Sequence, residues 1–339
     1  MKNVSIKDIA RYVGVSTTTV SFVLNGKAKE KRISEELKNK ILKAAAKLNY
    51  RPNQIARGLR TGTTHTLGLI VEDISNHFFA HLAKVVEDEA DKHGYKVMFC
   101  STENNEEKAV SLVHLLKNRQ MDGYIITPTP GLAGEIENLL KESKPLMLID
   151  RYFPELDSGY VAIDNYRGAH EAVSFLIKQG YQNIAIVTIE SEQVQMLDRY
   201  RGYEDALLEH RVESDPHLVK KIQFDLAHDA AVREVVSFLQ KQKKIDAIFC
   251  TTNYLGVYTI EGLRHLGKKI PDDVGLITFD DNELFRLGSP SISVVAQPIE
   301  KIGKMAVEAL IDQLKNKTKR GSHIVLNPSL IIRESSRQQ

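Results

Sequence analysis

The chain has 339 residues, of which 42% are hydrophobic and 27% charged, with a formal net charge of +2. No apolar run approaches the roughly 18 residues that span a bilayer, and the N-terminus lacks the apolar stretch of a signal peptide. We therefore expect a globular, cytoplasmic protein of two or three domains with no membrane segment. The two cysteines, Cys100 and Cys250, lack the paired spacing of a metal site, so we expect no metal and no cofactor.

Charge is distributed unevenly along the chain. Residues 1–62 carry fourteen Lys and Arg against four Asp and Glu, a net charge of +10, which leaves −8 on the remainder. A basic N-terminal segment on an acidic body is the asymmetry expected when only that segment meets phosphates.

The first basic segment has the pattern of two short helices joined by a turn. Ser5 and Asp8 form a predicted capping box, and apolar residues recur at helical period as far as Val13. Gly14 can adopt the left-handed conformation that ends this helix, and Ser16 can cap a second one. The pattern predicts a helix-turn-helix. An ordinary helical hairpin is the alternative, and the positive charge favours a DNA-binding motif.

The second helix of such a motif lies in the major groove with its N-terminal residues nearest the base edges. Here those residues are Thr17, Thr18, Ser21 and Phe22. They are the predicted determinants of sequence preference.

Residues 51–62 are predicted to form a hinge helix of about two turns. Pro52 breaks the preceding helix, Asn53 can cap the next one, and Gly62 must end it. A helix this short is marginal in water, and Gly58 inside it weakens it further. We expect its order to depend on packing against a second copy and on DNA.

From Thr66 onward, short apolar runs alternate with longer amphipathic stretches. The runs that read as buried strands are 67–71, 95–100, 124–126, 146–149, 184–187, 247–249 and 274–277. Continuous apolar strands with intervening helices predict an α/β body with two parallel, doubly wound sheets. Ligands of such sheets bind at the carboxyl ends of the strands, so the residues just past each run are candidates for a site.

Several motifs follow one another in a familiar order. They are Ile6-Lys7-Asp8-Ile9-Ala10, Gly14-Val15-Ser16, Thr19-Val20-Ser21, Val23-Leu24-Asn25, Leu48-Asn49-Tyr50-Arg51-Pro52-Asn53, Ala56-Arg57-Gly58-Leu59-Arg60-Thr61-Gly62, Asp73-Ile74-Ser75-Asn76, Phe78-Phe79, Asp164-Asn165, Gly168-Ala169, Arg199, Gly202-Tyr203, Ile270-Pro271-Asp272-Asp273-Val274, Phe279-Asp280-Asp281 and Gln297-Pro298. Together they resemble the lactose-repressor/galactose-repressor family of bacterial transcription regulators over nearly the whole chain.

This resemblance implies a helix-turn-helix head, a hinge helix and a two-lobed body like that of periplasmic sugar-binding proteins. The chain of such a body crosses between its lobes three times, here near Val161, Ile292 and Ser322. The implied domains are the head at 1–50, the hinge at 51–62, an N-terminal lobe at 63–161 plus 292–321, and a C-terminal lobe at 162–291 plus 322–339.

The resemblance also implies the residues that contact DNA. They are Ser5, Ser16, Thr17, Thr18, Thr19, Ser21, Phe22, Asn25, Ser34, Tyr50, Asn53, Ala56, Arg57 and Leu59. Leu59 occupies the place of a hinge leucine that family members push between base pairs, and a dimer-packing role is the alternative. Phe22 stands where many members have a base-contacting arginine, so one such guanine contact is absent.

The effector site implied by the resemblance lies between the lobes and combines polar side chains with an aromatic face. Its residues are Asp73, Ser75, Asn76, Phe78, Thr127, Asp150, Arg151, Arg199, Asn253 and Asp280. Asp280, Arg199 and Asn253 match the ligand-binding carboxylate, guanidinium and amide of the family. An ion pair inside one lobe is the alternative for the first two, and purely structural roles stay open for Asp73, Asp150 and Arg151.

Other departures from the family leave the ligand open. Tyr254 replaces an aspartate that often follows Asn253, and His77 replaces a proline that often precedes the Phe pair. The segment 26–32 is longer and more basic than usual, which could add phosphate contacts or form a solvated charge run.

The sequence thus predicts a repressor that binds a palindromic operator as a homodimer and responds to a small sugar-like effector, with nucleoid association when bound. A regulator, activator or repressor, controlled by a protein partner and one controlled by a sugar phosphate are the alternatives. A purely sugar-binding protein conflicts with the basic head, and the usual catalytic motifs are missing, so we expect no enzyme. The tail after Leu330 lacks a leucine heptad, which favours a dimer over a tetramer.

Overall fold

The computed structural model describes residues 4–50, 63–316 and 321–337. The chain divides into two compact units, Met1–Thr64 and His65–Gln339, which we call the head and the body. The predicted hinge helix falls on residues 51–62, outside the described residues.

Three helices form the described part of the head. They are α1 (Ile6–Val13), α2 (Thr17–Leu24) and α3 (Glu35–Lys47). Their apolar faces meet in one small core in which Ile9, Val20 and Ile41 are fully buried. The helical period read from the sequence therefore gives the packing face of each helix.

The body alternates strands and helices as predicted. Its strands are β1 (Thr66–Val71), β2 (Lys96–Ser101), β3 (Gly123–Ile126), β4 (Leu146–Ile149), β5 (Gly159–Ile163), β6 (Ile184–Ile189), β7 (Val219–Ile222), β8 (Ala247–Cys250), β9 (Gly275–Phe279), β10 (Ser293–Ala296), β11 (His323–Leu326) and β12 (Ser329–Ile331). Its helices are α4 (His77–Lys92), α5 (Glu106–Asn118), α6 (Ala133–Lys141), α7 (Asn165–Lys178), α8 (Val194–Glu209), α9 (His228–Lys241), α10 (Asn253–His265), α11 (Glu283–Leu287) and α12 (Ile299–Asn316).

The strands form two sheets with the same internal order. The first runs β11-β5-β4-β3-β1-β2 and the second β12-β10-β9-β8-β6-β7. The pairs are parallel except for β10 with β12, so the predicted parallel sheets are confirmed with one antiparallel edge strand. We call the first sheet with its helices the N-terminal lobe and the second the C-terminal lobe.

Helices cover both faces of each sheet. In the N-terminal lobe α4 and α12 pack on one face, and α5 and α6 on the other. In the C-terminal lobe α7 and α8 cover one face, and α9 and α10 the other. The interior strands, enclosed on both sides, bury nearly every residue, which explains most of the continuous apolar runs in the sequence. The prediction of a buried strand at 95–100 is wrong, because β2 lies at the edge of its sheet and none of its residues is buried.

The chain crosses between the sheets later than the sequence suggested. It leaves β5 after Ile163, β10 after Ala296 and β11 after Leu326, rather than near Val161, Ile292 and Ser322. β5 and β11 therefore belong wholly to the first sheet and β10 to the second. β5 and β11 run parallel to each other, and β10 runs parallel to β9, so the chain leaves all three at their carboxyl ends. The crossings therefore lie at the edge where ligands of such sheets bind.

Within the described ranges, no helix is both long enough and apolar enough to cross a lipid bilayer.

Helices α7 and α8 approach each other closely at Gly202. A Cβ atom there would lie 2.4 Å from the carbonyl oxygen of Tyr166 and 3.0 Å from the Cβ of Ala169. Backbone atoms cannot yield as a flexible side chain can, so the packing of these two helices requires glycine.

Replacing Gly202 with alanine should destabilise the body by about 1–3 kcal/mol, because the added methyl overpacks a backbone contact. Gly134→Ala is the matched control, since a Cβ at that position in α6 meets nothing within 4 Å. Alanine is the better helix former, so this control should be neutral or slightly stabilising. Calorimetric unfolding of both variants checks the difference, and wild-type stability in Gly202→Ala would contradict it.

Candidate functional site

The head begins with helix α1, and the predicted capping box at its start is confirmed. The Asp8 carboxylate accepts hydrogen bonds from the Ser5 backbone N–H at 2.9 Å and from its hydroxyl at 2.6 Å. Gly14 ends the helix with φ 79°, the left-handed conformation expected of it. Ser16 then caps α2 by accepting from the Thr19 N–H at 3.0 Å. The predicted helix-turn-helix is therefore present.

Helix α2 turns one face to the head core and the other outward. Val20 and Val23 are buried, whereas Thr17 and Thr18 are exposed at the N-terminal end. The outer face thus has short polar side chains where a groove-binding helix needs them.

Farther along this face the helix meets the basic segment 26–32. Phe22 is half-buried, and the Lys31 ammonium lies 5.5 Å from the centre of its ring. Ala28 packs into the core, so the segment forms defined turns rather than a free charge run. Its Lys and Arg side chains are exposed, and Lys31 contacts Phe22 of α2.

Other predicted DNA-binding residues have structural bonds of their own. Ser34 caps α3, and the Asn25 amide donates to the Ser21 carbonyl at 2.7 Å and to its hydroxyl at 3.2 Å. Tyr50 is half-buried against the head core. Asn53, Ala56, Arg57 and Leu59 lie outside the described residues.

A second candidate site lies in the body, between the lobes. The residues that line this cavity are Glu72, Asn76, Phe78, Phe79, Asp150, Arg151, Ile189, Gln193, Gln195, Met196, Arg199, Phe224, Thr252, Asn253, Tyr254, Asp280 and Gln297. The space open to the centre of a water-sized sphere is about 40 Å³, room for only a few water molecules. The lobes are therefore closed, and a larger ligand requires them to part or side chains to move.

Two aspartates occupy equivalent places in the two lobes. Asp150 follows β4 and Asp280 follows β9, and both have left-handed backbones, with φ 68° and 63°. Each donates its N–H to the neighbouring strand, Asp150 to Val161 at 3.1 Å and Asp280 to Val295 at 2.9 Å. Such strained conformations concentrate at functional sites, and here they present two carboxylates to one cavity.

Arg199 lies on α8 and is almost fully buried, with 2% of its surface exposed. Its Nε donates to the Asn165 amide oxygen at 2.8 Å, and its Nη1 donates to the Thr251 carbonyl at 2.6 Å. The guanidinium carbon lies 3.7 Å from the centre of the Phe279 ring. These contacts fix the side chain, so its orientation toward the cavity does not depend on a ligand.

Arg151 is the second buried guanidinium. Its Nη2 donates to Glu72 at 2.6 Å within the N-terminal lobe, and its Nη1 donates to Gln193 of the C-terminal lobe at 2.7 Å. The Asp150 carboxylate lies 3.9 Å from its Nε, beyond hydrogen-bond distance. Arg151 therefore joins the two lobes through Gln193.

Two asparagines form a further bridge between the lobes. The Nδ2 of Asn253 donates to the Asn76 Oδ1 at 2.9 Å, and the Nδ2 of Asn76 donates back to the Asn253 Oδ1 at 3.3 Å. Asn76 also caps α4, which fixes its side chain. A ligand that satisfies both amides can replace this reciprocal pair.

Aromatic rings form the apolar walls of the cavity. Phe78 and Phe79 meet edge to face in the N-terminal lobe with centroids 4.9 Å apart, and Phe224 and Tyr254 do so across the cavity at 6.5 Å. Rings opposite carboxylates and amides are the combination that binds a sugar, since its C–H face is apolar and its rim is hydroxylated.

Burial dominates the electrostatics of the site. Desolvation raises the pKa values of Glu72, Asp150 and Asp280 and lowers the pKa of Arg199, and the opposite charges nearby partly offset these shifts. Asp280 also accepts a hydrogen bond from the Gln297 amide at 2.7 Å, which favours its ionised form.

The structure brings together most, but not all, of the predicted effector residues. Asn76, Phe78, Asp150, Arg151, Arg199, Asn253 and Asp280 line the cavity. Asp73 and Ser75 instead bond each other in a local turn, and Thr127, which directly follows β3, is buried but does not line the cavity.

Sequence reasoning missed several lining residues, including Glu72, Gln193 and Gln297. Glu72 directly follows β1. It lies one residue before Asp73, the first residue after this strand that the sequence indicates as a site residue. Gln297 adjoins Pro298 at a lobe crossing. The contact of Gln193 with the opposite lobe has no signal in the sequence, because it arises from lobe closure.

Fold and site together define a helix-turn-helix regulator with a periplasmic-binding-protein-like body. The model of the lacI family of bacterial regulatory proteins matches residues 5–53, and that of the periplasmic binding protein-like domain matches residues 173–336. The ribose operon repressor of Haemophilus influenzae is 32% identical over 98% of this chain and 98% of its own. The chain belongs to the lacI family.

Solved structures agree with this assignment. The lac repressor dimer bound to operator and an anti-inducer has a TM-score of 0.85 at 20% identity, covering 99% of this chain and 100% of its own. A lacI-family regulator of Enterococcus faecium with bound ribose has a TM-score of 0.72 at 25% identity, covering 81% and 99%. The chain is a DNA-binding transcriptional repressor of this family and not an enzyme. Among the described residues, no cluster of His, Cys, Asp or Glu could hold a metal ion.

The raised pKa of Asp280 makes a prediction about stability. In the unfolded chain Asp280 has its ordinary pKa of 3.8, whereas in the folded protein its pKa is higher. The folded protein therefore loses stability as the pH rises through the pKa of the folded state. Asp280→Asn should therefore stabilise the body more at about pH 7.5 than at about pH 4.5. Asparagine also suits the left-handed backbone, but that gain is independent of pH. Melting temperatures across this range check the trend, and a constant difference would contradict it.

Proposed function

We propose that this repressor binds a palindromic operator as a homodimer and that a small sugar in the interlobe cavity changes its affinity for that operator. The observation that carries the effector half of this proposal is the cavity itself. Buried Arg199, Asp280 and paired asparagines face aromatic rings at the carboxyl ends of both sheets. This arrangement supports a polyhydroxylated ligand enclosed by both lobes.

The head supports the DNA half of the proposal. Thr17 and Thr18 are exposed at the N-terminal end of α2, and Ser21 and Phe22 continue the same face. The net charge of +10 on residues 1–62 supplies the phosphate contacts. Since operator DNA lies in the bacterial cytoplasm, we place the protein there, associated with the nucleoid when bound.

Exposed apolar side chains on the body favour a dimer. On β2, at one edge of the first sheet, Met98 and Phe99 are 38% and 53% exposed, and on α11 Leu284 and Leu287 are 71% and 77% exposed. Large apolar side chains grouped on a surface mark interaction sites. A second copy packed there would give the two-fold symmetry that a palindromic operator requires.

Ribose is the first effector to test. The ribose operon repressor of Haemophilus influenzae and the ribose-bound regulator of Enterococcus faecium both resemble this chain over most of its length. We propose that the sugar acts on DNA binding through the hinge, residues 51–62, with Leu59 as a wedge at the operator centre. Changing the lobe arrangement would then alter how the two hinges meet.

Substitutions in the head should separate specificity from affinity. Thr17→Ala and Thr18→Ala should change which bases are preferred, because these side chains reach the groove. Lys29→Ala should weaken binding to all sequences alike, because it removes a phosphate contact. Selection of operators from random DNA measures the first effect, and filter binding measures the second. If about six phosphates are neutralised, log affinity should fall with log salt at a slope near −5.

If both threonine variants keep the base preference of the wild type, residues other than Thr17 and Thr18 recognise the operator sequence. A salt slope shallower than about −2 would contradict the electrostatic role of the head.

Substitutions in the cavity should affect the effector alone. Asp280→Ala should weaken sugar binding by about 1–3 kcal/mol, because it leaves ligand hydroxyls unpaired in a buried site. Operator binding without sugar should stay close to that of the wild type. Asp73→Asn is the control, since Asp73 also lies just past a strand end, that of β1, but does not line the cavity. Calorimetric titration with ribose compares the variants, and wild-type affinity in Asp280→Ala would place the site elsewhere.

A further inference from the structure

The charged groups that line the interlobe cavity are unequal in number. Among the described residues the lining holds three carboxylates, Glu72, Asp150 and Asp280, and two guanidiniums, Arg151 and Arg199. All five side chains are at least nine-tenths buried. With every group ionised the closed cavity has one negative charge in excess.

Both guanidiniums already have partners, so a second anion must compete for them. Glu72 takes the Nη2 of Arg151 at 2.6 Å, and Gln193 takes its Nη1 at 2.7 Å. Asn165 and the Thr251 carbonyl hold two donors of Arg199, and its face is stacked on Phe279. A phosphate that took both Nη atoms of Arg151 would displace Glu72 and Gln193 from them.

Two of the helices that begin at the cavity have side-chain caps, whereas α8, which begins beside Gln193, has none. The Asn76 Oδ1 accepts from the Phe78 N–H at 3.0 Å in α4, and the Thr252 hydroxyl accepts from the Leu255 N–H at 3.4 Å in α10. Free N–H groups at such ends are the usual alternative to a basic side chain for binding phosphate. Side-chain caps already satisfy one such group in α4 and one in α10.

The groups left unpaired suit hydroxyls instead. The Nε of Arg151 is a buried donor without a hydrogen-bond partner among the described residues, and the amide oxygens of Gln195 and Gln297 are buried acceptors without one. A hydroxyl both donates and accepts, so a sugar can satisfy all three. The phosphoryl dianion of an ester only accepts, so that group cannot pair with either amide oxygen.

We propose that this cavity admits uncharged sugars and excludes their phosphate esters, and that Glu72 is the residue that determines this specificity. The inference rests on the effector role proposed above. Glu72 acts in two ways: it occupies the guanidinium of Arg151, and it supplies the third carboxylate that repels a second anion. Specificity of this kind comes from a repulsive element rather than from an added contact.

The test compares matched ligand pairs on the full-length protein. Ribose and ribose 5-phosphate form one pair, and glucose and glucose 6-phosphate the other, each titrated by calorimetry into wild type, Glu72→Gln and Glu192→Gln. Glu72→Gln keeps an oxygen to accept from Arg151 but removes the charge. Glu192→Gln makes the same chemical change at an exposed residue beside Gln193 that does not line the cavity.

The wild type should bind one of the two free sugars. The dissociation constant of the corresponding phosphate ester should be at least about 100-fold higher. Glu72→Gln should narrow that ratio at least about tenfold, and Glu192→Gln should leave it unchanged. Circular dichroism and operator binding verify that each variant is folded.

Three results would overturn the inference. An ester that binds the wild type as tightly as its sugar would show that the cavity accepts anions, while the proposed control by a small molecule would stand. If the ratio of the ester and sugar dissociation constants in Glu72→Gln equals that of the wild type, Glu72 does not determine this specificity. Binding of no sugar and no ester to any of the folded proteins would instead contradict the proposed effector, and the inference with it.

Discussion

Burial of charge between two lobes is the constraint on which the site depends. Parallel strands deliver Asp150, Arg151 and Asp280 to one edge, and closing the lobes removes them from water. An isolated buried charge is very costly, so each group must find a partner on its own lobe or across the cavity. The bond from Arg151 to Gln193 and the pair of Asn76 with Asn253 are the partners that closure supplies. A sugar is a second way to satisfy the same groups, which is why it can select a lobe arrangement.

The two lobes meet this constraint in the same way because their sheets have the same strand order. Each sheet places an aspartate with a left-handed backbone after an equivalent strand, Asp150 after β4 and Asp280 after β9. A ligand held by both aspartates binds best at one separation of the lobes. It can shift the equilibrium between arrangements only by the difference in its affinity for them.

Local signals made the head and the central strands predictable. Capping by Ser16 and the left-handed Gly14 follow from rules within a few residues, and both are present. The edge strands β7, β11 and β12 gave no apolar run because their residues are partly exposed, and the largely buried interior strands β5 and β10 were missed as well. The chain crosses between the lobes a few residues later than predicted, because the ends of these strands have little hydrophobic pattern in the sequence. The resemblance to the repressor family predicted Arg199 and Asp280 as site residues, and Asp280 also lies at a strand end. Glu72 and Gln193 were missed because their roles arise from contacts between distant segments.

The central claim is that the cavity and the operator are linked through the lobe arrangement. Thermodynamic linkage is reciprocal, so operator DNA must change sugar affinity by the same factor by which sugar changes operator affinity. The most direct measurement is calorimetric titration of the sugar into the free protein and into the protein saturated with its selected operator. We predict dissociation constants that differ by about 5- to 150-fold, the usual range of allosteric coupling. Equal constants in the two titrations would contradict the account.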